Sequence, residues 1–402
     1  PGCENCGPQA PISLNRKRSE WVDHQIVRLQ QPPEDAIDGS TDNIDIHLTD
    51  DLCGQVEGGQ RATFTGEFRP VPNKGSVRHK KEIRGKGFRL EQDDFEDVGV
   101  GEHAEEIAQL READNTFEQL VAGLAPGHTG DWHVKEALIL QVFGGWARTS
   151  RDGNYHRGDS HIYLIGDPGV GKSNLLRAVA EIAPRCAFTD GTGSSGAGLT
   201  AAITKDDFGD EQWSIEAGTM VRANKGIAAV DELDKGDSSD LEALHTALES
   251  QEVLISKAGR HAHLPAKTAL LAAGNPIYGH FDPGKEFVEQ VDLQSPLLSR
   301  FDLIFTMRER YQEDRVEDVA GHMVETRQAA GKDARGEELT EEELEAISPD
   351  IDQEALTAYI ADARRNCRPV IRDQAIARQI QDYYVNLKMS LPICFFIIQR
   401  PP

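Results

Sequence analysis

Residues 161–180 read HIYLIGDPGVGKSNLLRAVA, and this stretch decides the fold. His161 to Ile165 is a short, largely apolar run that reads as a strand. Gly166 to Ser173 fits the pattern GxxxxGK[ST], and Asn174 to Ala183 reads as a helix stopped by Pro184. In that strand–loop–helix context the pattern has a mechanism. The glycines let backbone N–H groups approach phosphates, Lys172 reaches the β and γ oxygens, and the Ser173 hydroxyl ligates magnesium. Gly166, Asp167, Pro168, Gly169, Val170, Gly171, Lys172, Ser173 and Asn174 are therefore the expected ATP contacts, with ATP and Mg2+ as cofactors. The bland alternative is a glycine-rich strand-to-helix turn with no ligand, and the residues downstream weigh against it.

Two further apolar segments end in polar residues. Gly226 to Val230 reads as a buried strand running into Asp231-Glu232, where the first acid would hold magnesium through water and the second would polarise the attacking water. Alone, such a pair reads as a solvated turn. Thr268 to Ala273 ends at Gly274-Asn275-Pro276, which places an amide where it can orient water against a γ-phosphate; alone, Asn before Pro is a turn former. Ser299-Arg300-Phe301-Asp302 follows, and Arg300 reads either as a finger toward a neighbouring subunit's ATP or as a surface arginine in an ion pair. Lys172, Asp231, Glu232, Asn275 and Arg300 are the catalytic candidates, and Ser173 and Asp231 the magnesium ligands.

Between the acidic pair and Asn275, Ser239 to Leu248 reads as a helix with a capping box, Ser239 and Glu242, and a core stripe of Leu241, Leu244 and Leu248. Val253 to Ser256 and Arg260 to Leu264 flank Lys257-Ala258-Gly259, a hairpin with a lysine at its tip. That lysine serves solubility or contacts a phosphate backbone.

Working outward, residues 161–310 alternate strands and helices, which favours a mostly parallel sheet covered by helices. Residues 19–98 read as β structure, with strand-like Trp21 to Leu29, alternating Ile44 to Leu48, and a basic stretch, PVPNKGSVRHKKEIRGKGFR, from Pro70 to Arg89. A small barrel with a basic hairpin is expected. Asp94 to Glu112 is acidic and helical, a connector; Val134 to Phe143 is a helix, and a polar loop with Gly153 and Gly158 follows it. The charged stretch Gly331 to Glu345 precedes a last helical region, Gln353 to Asn386, and the final LPICFFIIQRPP matches neither pattern.

The 402 residues carry a formal net charge of −25, which disfavours nonspecific nucleic-acid binding through net charge but leaves local basic patches, and which also fits adaptation to high salt. No run approaches the ~20 apolar residues of a membrane span, and no secretion signal opens the chain. Six cysteines are too few and scattered for a disulfide framework, so a reducing cytosol is expected. Cys3 and Cys6 form one CxxC.

Together, VRLQQPPE, LAPGHTGDWHVKEALILQVFGG, the phosphate loop, GSSGAGLTAAITKD, GIAAVDELDK, ISKAGRHAHL, AAGNP and LLSRFDLIF resemble the minichromosome maintenance (MCM) helicases of the AAA+ ATPases, most closely archaeal and, given the acidity, haloarchaeal ones. The resemblance implies a multidomain chain, an all-β oligonucleotide-binding barrel followed by an α/β AAA+ P-loop ATPase with a partial helical lid. The expected domains are a zinc-ribbon remnant at 1–10, the barrel at 11–98, a connector at 99–115, the ATPase core at 116–312, a linker and lid fragment at 313–390, and an anomalous tail at 391–402. The chain reads as truncated at both ends.

By the same resemblance Arg300 acts in trans within a ring, typically a homohexamer. Lys257 sits on a hairpin in the central channel, Gly191 to Gly218 span a mobile insertion, and the stretch from Arg69 to Lys81, with Arg78, Lys80 and Lys81 as candidates, touches DNA. Cys3 and Cys6 would be half of a zinc site, so Zn2+ is possible only in a longer chain. The implied function is an ATP-dependent replicative helicase on single-stranded and forked DNA, with loading and accessory factors, in the cytoplasm at the nucleoid. A different AAA+ remodelling ATPase (magnesium-chelatase-like) and a truncated, non-catalytic DNA-binding subunit are the alternatives.

Overall fold

The computed structural model of the chain describes residues 18–30, 43–56, 62–72, 79–90, 100–128, 132–191, 196–205, 213–257, 260–282, 284–308 and 351–390, with a few short pieces besides. The chain divides into two compact units, residues 1–93 and 94–402.

In the first unit β1 (His24–Gln30) pairs antiparallel with β2 (Asn43–Thr49), β3 (Ala62–Pro72) pairs antiparallel with β4 (His79–Leu90), and β2 runs parallel to β4. The sheet order is therefore β1-β2-β4-β3. Alternation in NIDIHLT sends Ile46 and Leu48 into a small core with Val56, against which Phe64 and Phe88 pack. The register shifts at Thr65/Gly66, and the close packing around it admits only glycine: a Cβ on Gly66 would lie 2.4 Å from Ile83 Cγ2, and one on Gly85 2.6 Å from Leu48 Cδ2. The basic stretch forms the β3–β4 hairpin, with Lys80 and Lys81 exposed on β4 opposite Val71 and Pro70. Arg78 lies outside the described residues, as do Cys3 and Cys6.

The second unit opens with helices α1 (Ala104–Glu112), α2 (Thr116–Gly123) and α3 (Trp132–Phe143). The expected polar loop is instead a hairpin, β5 (Arg148–Thr149) and β6 (Tyr155–His156), whose two-residue strands are too short for periodicity to reveal. Then come β7 (Ile162–Gly166), α4 (Lys172–Ile182) and β8 (Cys186–Asp190). The span from Gly191 to Gly218 holds α5 (Gly196–Leu199) and the antiparallel pair β9 (Ala201–Lys205) and β10 (Trp213–Ala217). After α6 (Thr219–Arg222) follow β11 (Ile227–Asp231), α7 (Ser238–Ser250), the hairpin β12 (Glu252–Lys257) and β13 (Arg260–Pro265), β14 (Ala269–Gly274), α8 (Ser295–Leu298) and β15 (Leu303–Met307). The last helices are α9 (Gln353–Asn366) and α10 (Gln374–Ser390). The tail, which matched no pattern, contributes β16 (Ile397–Ile398), parallel to Ile304 and Phe305 of β15.

The main sheet is parallel throughout, in the order β16-β15-β7-β14-β11-β8. Period-two alternation along IYLI splits β7 between two cores. Ile162 and Leu164 pack with α3, α4 and α9, whereas Tyr163 and Ile165 pack with Met220, Leu244 and Leu297 on the other face. Leu241, Leu244 and Leu248 are buried as the stripe requires. The capping box is not formed. Asp237 occupies the N-cap, two residues earlier than expected, and the Ser239 hydroxyl bonds to Asp240 at 3.2 Å from inside the first turn.

Polar links close the end of the sheet away from the phosphate loop. The Leu270 N–H donates to His161 Nδ1 at 3.0 Å, and Gln141 Nε2 donates to the carbonyls of Ser160 and Leu270 at 2.9 Å each. Burial, helped by the nearby Arg157 and Arg300 charges, disfavours the imidazolium, and the His161 pKa falls from 6.5 to about 3.

Above pH 6.5 the ring is neutral whether folded or unfolded, and it costs nothing there. Between pH 6.5 and about 3 the unfolded chain binds the extra proton, so stability falls as pH falls, by up to about 1.4 kcal/mol per pH unit from this group. His161→Asn, whose amide oxygen can accept the same bond, should show a shallower loss between pH 7 and pH 5 in urea unfolding of the two proteins side by side.

Candidate nucleotide site

The parallel sheet points the carboxyl ends of β7, β14 and β11 the same way, and β14 lies between the other two. Each end delivers one part of the site: the phosphate loop after Gly166, Asn275 after Gly274, and Asp231-Glu232 at the end of β11. They surround a cavity of about 320 Å³ lined by Pro168, Gly169, Gly171, Lys172, Ser173 and Asn174 from the loop, with Asp231, Glu232, Gly274 and Asn275 opposite. Gly166, Asp167, Val170 and Arg300 are not among its lining residues.

Inside the loop, Gly169 and Gly171 both sit at φ +85°, a backbone region that side chains disfavour, and Gly171 is also the N-cap of α4. A Cβ on Gly171 would come 2.6 Å from Cε1 of His128, which packs on the loop from the turn after α2. Val170 packs into the core, so only its backbone can serve a ligand. The buried Lys172 ammonium donates to the carbonyls of Gly166 and Asp167, at 2.7 Å each. Burial pulls its pKa down, and Asp167, Asp231 and Asp234 oppose that. The Asp167 carboxylate accepts from the Phe281 N–H at 3.1 Å, so it braces the loop from behind rather than facing the cavity.

The acidic pair is shaped by close approach. The Gly191 N–H donates to the Asp231 carbonyl at 2.8 Å, and a Cβ on Gly191 would lie 2.4 Å from the Glu232 carbonyl oxygen. Glu232 itself takes a left-handed conformation, φ +50° and ψ +41°, which costs a non-glycine residue roughly 1 kcal/mol. Its own N–H is held by the Asp231 carboxylate at 3.0 Å. Asp234 then links the pair to β14: buried, it accepts from the Asn275 N–H at 3.1 Å and pairs with Lys235 at 2.9 Å. A Cβ on Gly274 would strike the Tyr163 hydroxyl at 2.3 Å, so this strand end tolerates only glycine.

Gly191, Asp234 and His128 escape a sequence reading, since each acts through contact with a distant segment. The glycine after a strand, and the last acid of DELD, are the local hints. Arg300 pairs with Glu249 at 2.9 Å and does not line the cavity. Lys257 is the last residue of β12 and is paired in backbone register with Arg260 of β13.

A Gly-lined loop at a helix N-terminus, a lysine, two acids and an amide at adjoining ends of a parallel sheet define a P-loop ATPase domain of the AAA+ kind. Residues 103–327 match the MCM P-loop domain family and residues 1–72 the MCM OB domain family, so the chain belongs to the MCM family. It is 32% identical over 394 residues to "Minichromosome maintenance protein MCM" of Saccharolobus solfataricus, covering 96% of this chain and 54% of that protein. It is 37% identical over 321 residues to the zygotic DNA replication licensing factor mcm3 of Xenopus laevis, covering 78% and 40%, and 33% identical over 417 residues to DNA replication licensing factor mcm4 of Schizosaccharomyces pombe, covering 96% and 44%. The chain thus spans about half the length of these relatives.

Strain at Glu232 gives a test that separates fold from chemistry. Glu232→Gly should hold or raise thermal stability, by up to about 1 kcal/mol through relief of the positive φ, while removing ATP turnover; a drop in both would contradict a strained, functional Glu232.

Proposed function

We propose that this chain is the DNA-binding and ATP-hydrolysing part of a replicative DNA helicase that works as a ring. The observation that carries the reading is the convergence of Lys172, Ser173, Asp231, Glu232 and Asn275 on one cavity in a chain that also bears an OB unit. The cavity fits a triphosphate. Its glycines lack side chains where a phosphate must approach backbone N–H groups, and its one ammonium sits among oxygens.

In this reading Gly166 to Asn174 bind the phosphates, with Lys172 exchanging its two backbone carbonyls for phosphate oxygens. Ser173 and Asp231 hold Mg2+, which neutralises charge on the phosphates when bound. Glu232 polarises water and Asn275 orients it, its backbone fixed by Asp234. Arg300, remote from its own loop, serves the ATP of the next subunit, which makes a closed ring of identical chains the simplest assembly and a homohexamer our proposal. Lys257 on the β12–β13 hairpin, and Lys80 and Lys81 with Arg78 on the β3–β4 hairpin, supply phosphate contacts to single-stranded or forked DNA. Such a machine works with loading and accessory factors at the nucleoid in the cytoplasm. An OB unit and a basic hairpin favour this over a magnesium-chelatase-like remodelling ATPase.

ATP turnover should rise with single-stranded DNA, and Lys172→Ala should cut it by on the order of 100-fold or more. Lys257→Ala should leave DNA-free turnover within about twofold while unwinding of a labelled fork is lost, as expected for a contact that is only a phosphate anchor. Turnover indifferent to DNA in the unaltered protein would contradict the helicase reading and favour a remodelling ATPase.

A further inference from the structure

We propose that Glu249 and His245, on one face of α7, form a cradle that orients the Arg300 guanidinium for the ATP of a neighbouring copy of this chain. Both are positioning residues, and the inference rests on the trans role proposed for Arg300.

Four residues apart, His245 and Glu249 are neighbours on the helix surface. Arg300 leaves the end of α8, which packs against α7. Its Nη2 donates to Glu249 Oε2 at 2.9 Å, and its Nε donates to His245 Nε2 at 3.4 Å. An arginine Nε can only donate, so His245 Nε2 must be the unprotonated, accepting nitrogen.

An isolated surface pair of this kind contributes about 0–1 kcal/mol and leaves both side chains free to swing. Three observations set this one apart. First, the two anchors grip one edge of a rigid planar fork, which fixes its plane as well as its position. The opposite group, Nη1, then points in a defined direction and has no partner among the described residues. Second, the backbone beside Arg300 is already immobile. Phe301 is buried and stacks on Tyr163 with ring centroids 5.1 Å apart, and the Asp302 carboxylate accepts from the His161 N–H at 2.8 Å and from Arg157 at 2.6 Å. Only the arginine side chain retains freedom, and α7 removes it. Third, the cradle is on the surface, with the Arg300 and Glu249 side chains 33% and 58% exposed, so a fixed cation is presented outward and not to this chain's own loop.

The test measures DNA-stimulated ATP turnover of the full chain and of Arg300→Ala, Glu249→Ala and Glu249→Asp, each alone and mixed in equal amounts with Lys172→Ala. Arg300→Ala should lose on the order of 1,000-fold in kcat. Glu249→Ala should lose about 10- to 100-fold in kcat with KM for ATP unchanged, as expected for a misplaced group, and Glu249→Asp should recover part of it. In the mixtures both defects should be relieved, because the variant's intact loop then meets the unaltered Arg300 of a Lys172→Ala neighbour. Wild-type kcat in Glu249→Ala beside an impaired Arg300→Ala overturns the cradle and leaves the trans arginine standing. A Glu249→Ala defect that mixing does not relieve also overturns the cradle, since it places Glu249 in its own subunit's site. An Arg300→Ala protein with full activity overturns both.

Discussion

Strand β14 must fit between β7 and β11, and the site depends on that insertion. A strand paired on both sides and covered on both faces is built almost wholly of apolar residues, and ALLAAG meets the demand with every residue buried. Its tight seating carries Asn275 out between the phosphate loop and the acidic pair. Gly274 against the Tyr163 hydroxyl, and Gly191 against the Glu232 carbonyl, show how little slack the sheet's carboxyl edge has. The strain stored at Glu232 persists because these contacts over-determine the chain there.

Electrostatics follow from the same crowding. Three acids, Asp167, Asp231 and Asp234, surround one buried ammonium, and each has a separate use: Asp167 holds the loop over Phe281, Asp231 holds the Glu232 N–H, and Asp234 holds the Asn275 N–H. Lys172 is balanced by backbone carbonyls on one side and acids on the other, so a ligand's phosphates can replace the carbonyls without leaving the charge unpaired. Net charge of −25 says little about this site, because what matters is which few charges the fold brings within bonding distance.

The legible part of the molecule is the part whose physics is local. A phosphate loop needs consecutive residues, so Gly166 to Ser173 announces itself, and the acidic pair and Asn275 are recognisable as polar residues capping apolar runs. The parallel sheet was legible from the alternation of elements. What stayed hidden acts across distance: Asp234 is meaningful only once β14 lies beside β11, Gly191 only once β8 does, and Glu249 only against an arginine in the turn after another helix. Short elements also escaped, since a two-residue strand such as β5 has no period. The capping box failed because Asp237, two residues before the expected start, occupies the N-cap. Arg78, Cys3 and Cys6 fall outside the described residues.

The central claim is that three strand ends build one nucleotide site. A crystal structure of the chain with magnesium and a slowly hydrolysed ATP analogue tests it most directly. The account predicts phosphates on the backbone N–H groups of Gly169 to Ser173, the Lys172 ammonium moved from the Gly166 and Asp167 carbonyls onto phosphate oxygens, and the metal between Ser173 and Asp231. An analogue bound elsewhere, or phosphates out of reach of Lys172, would contradict it.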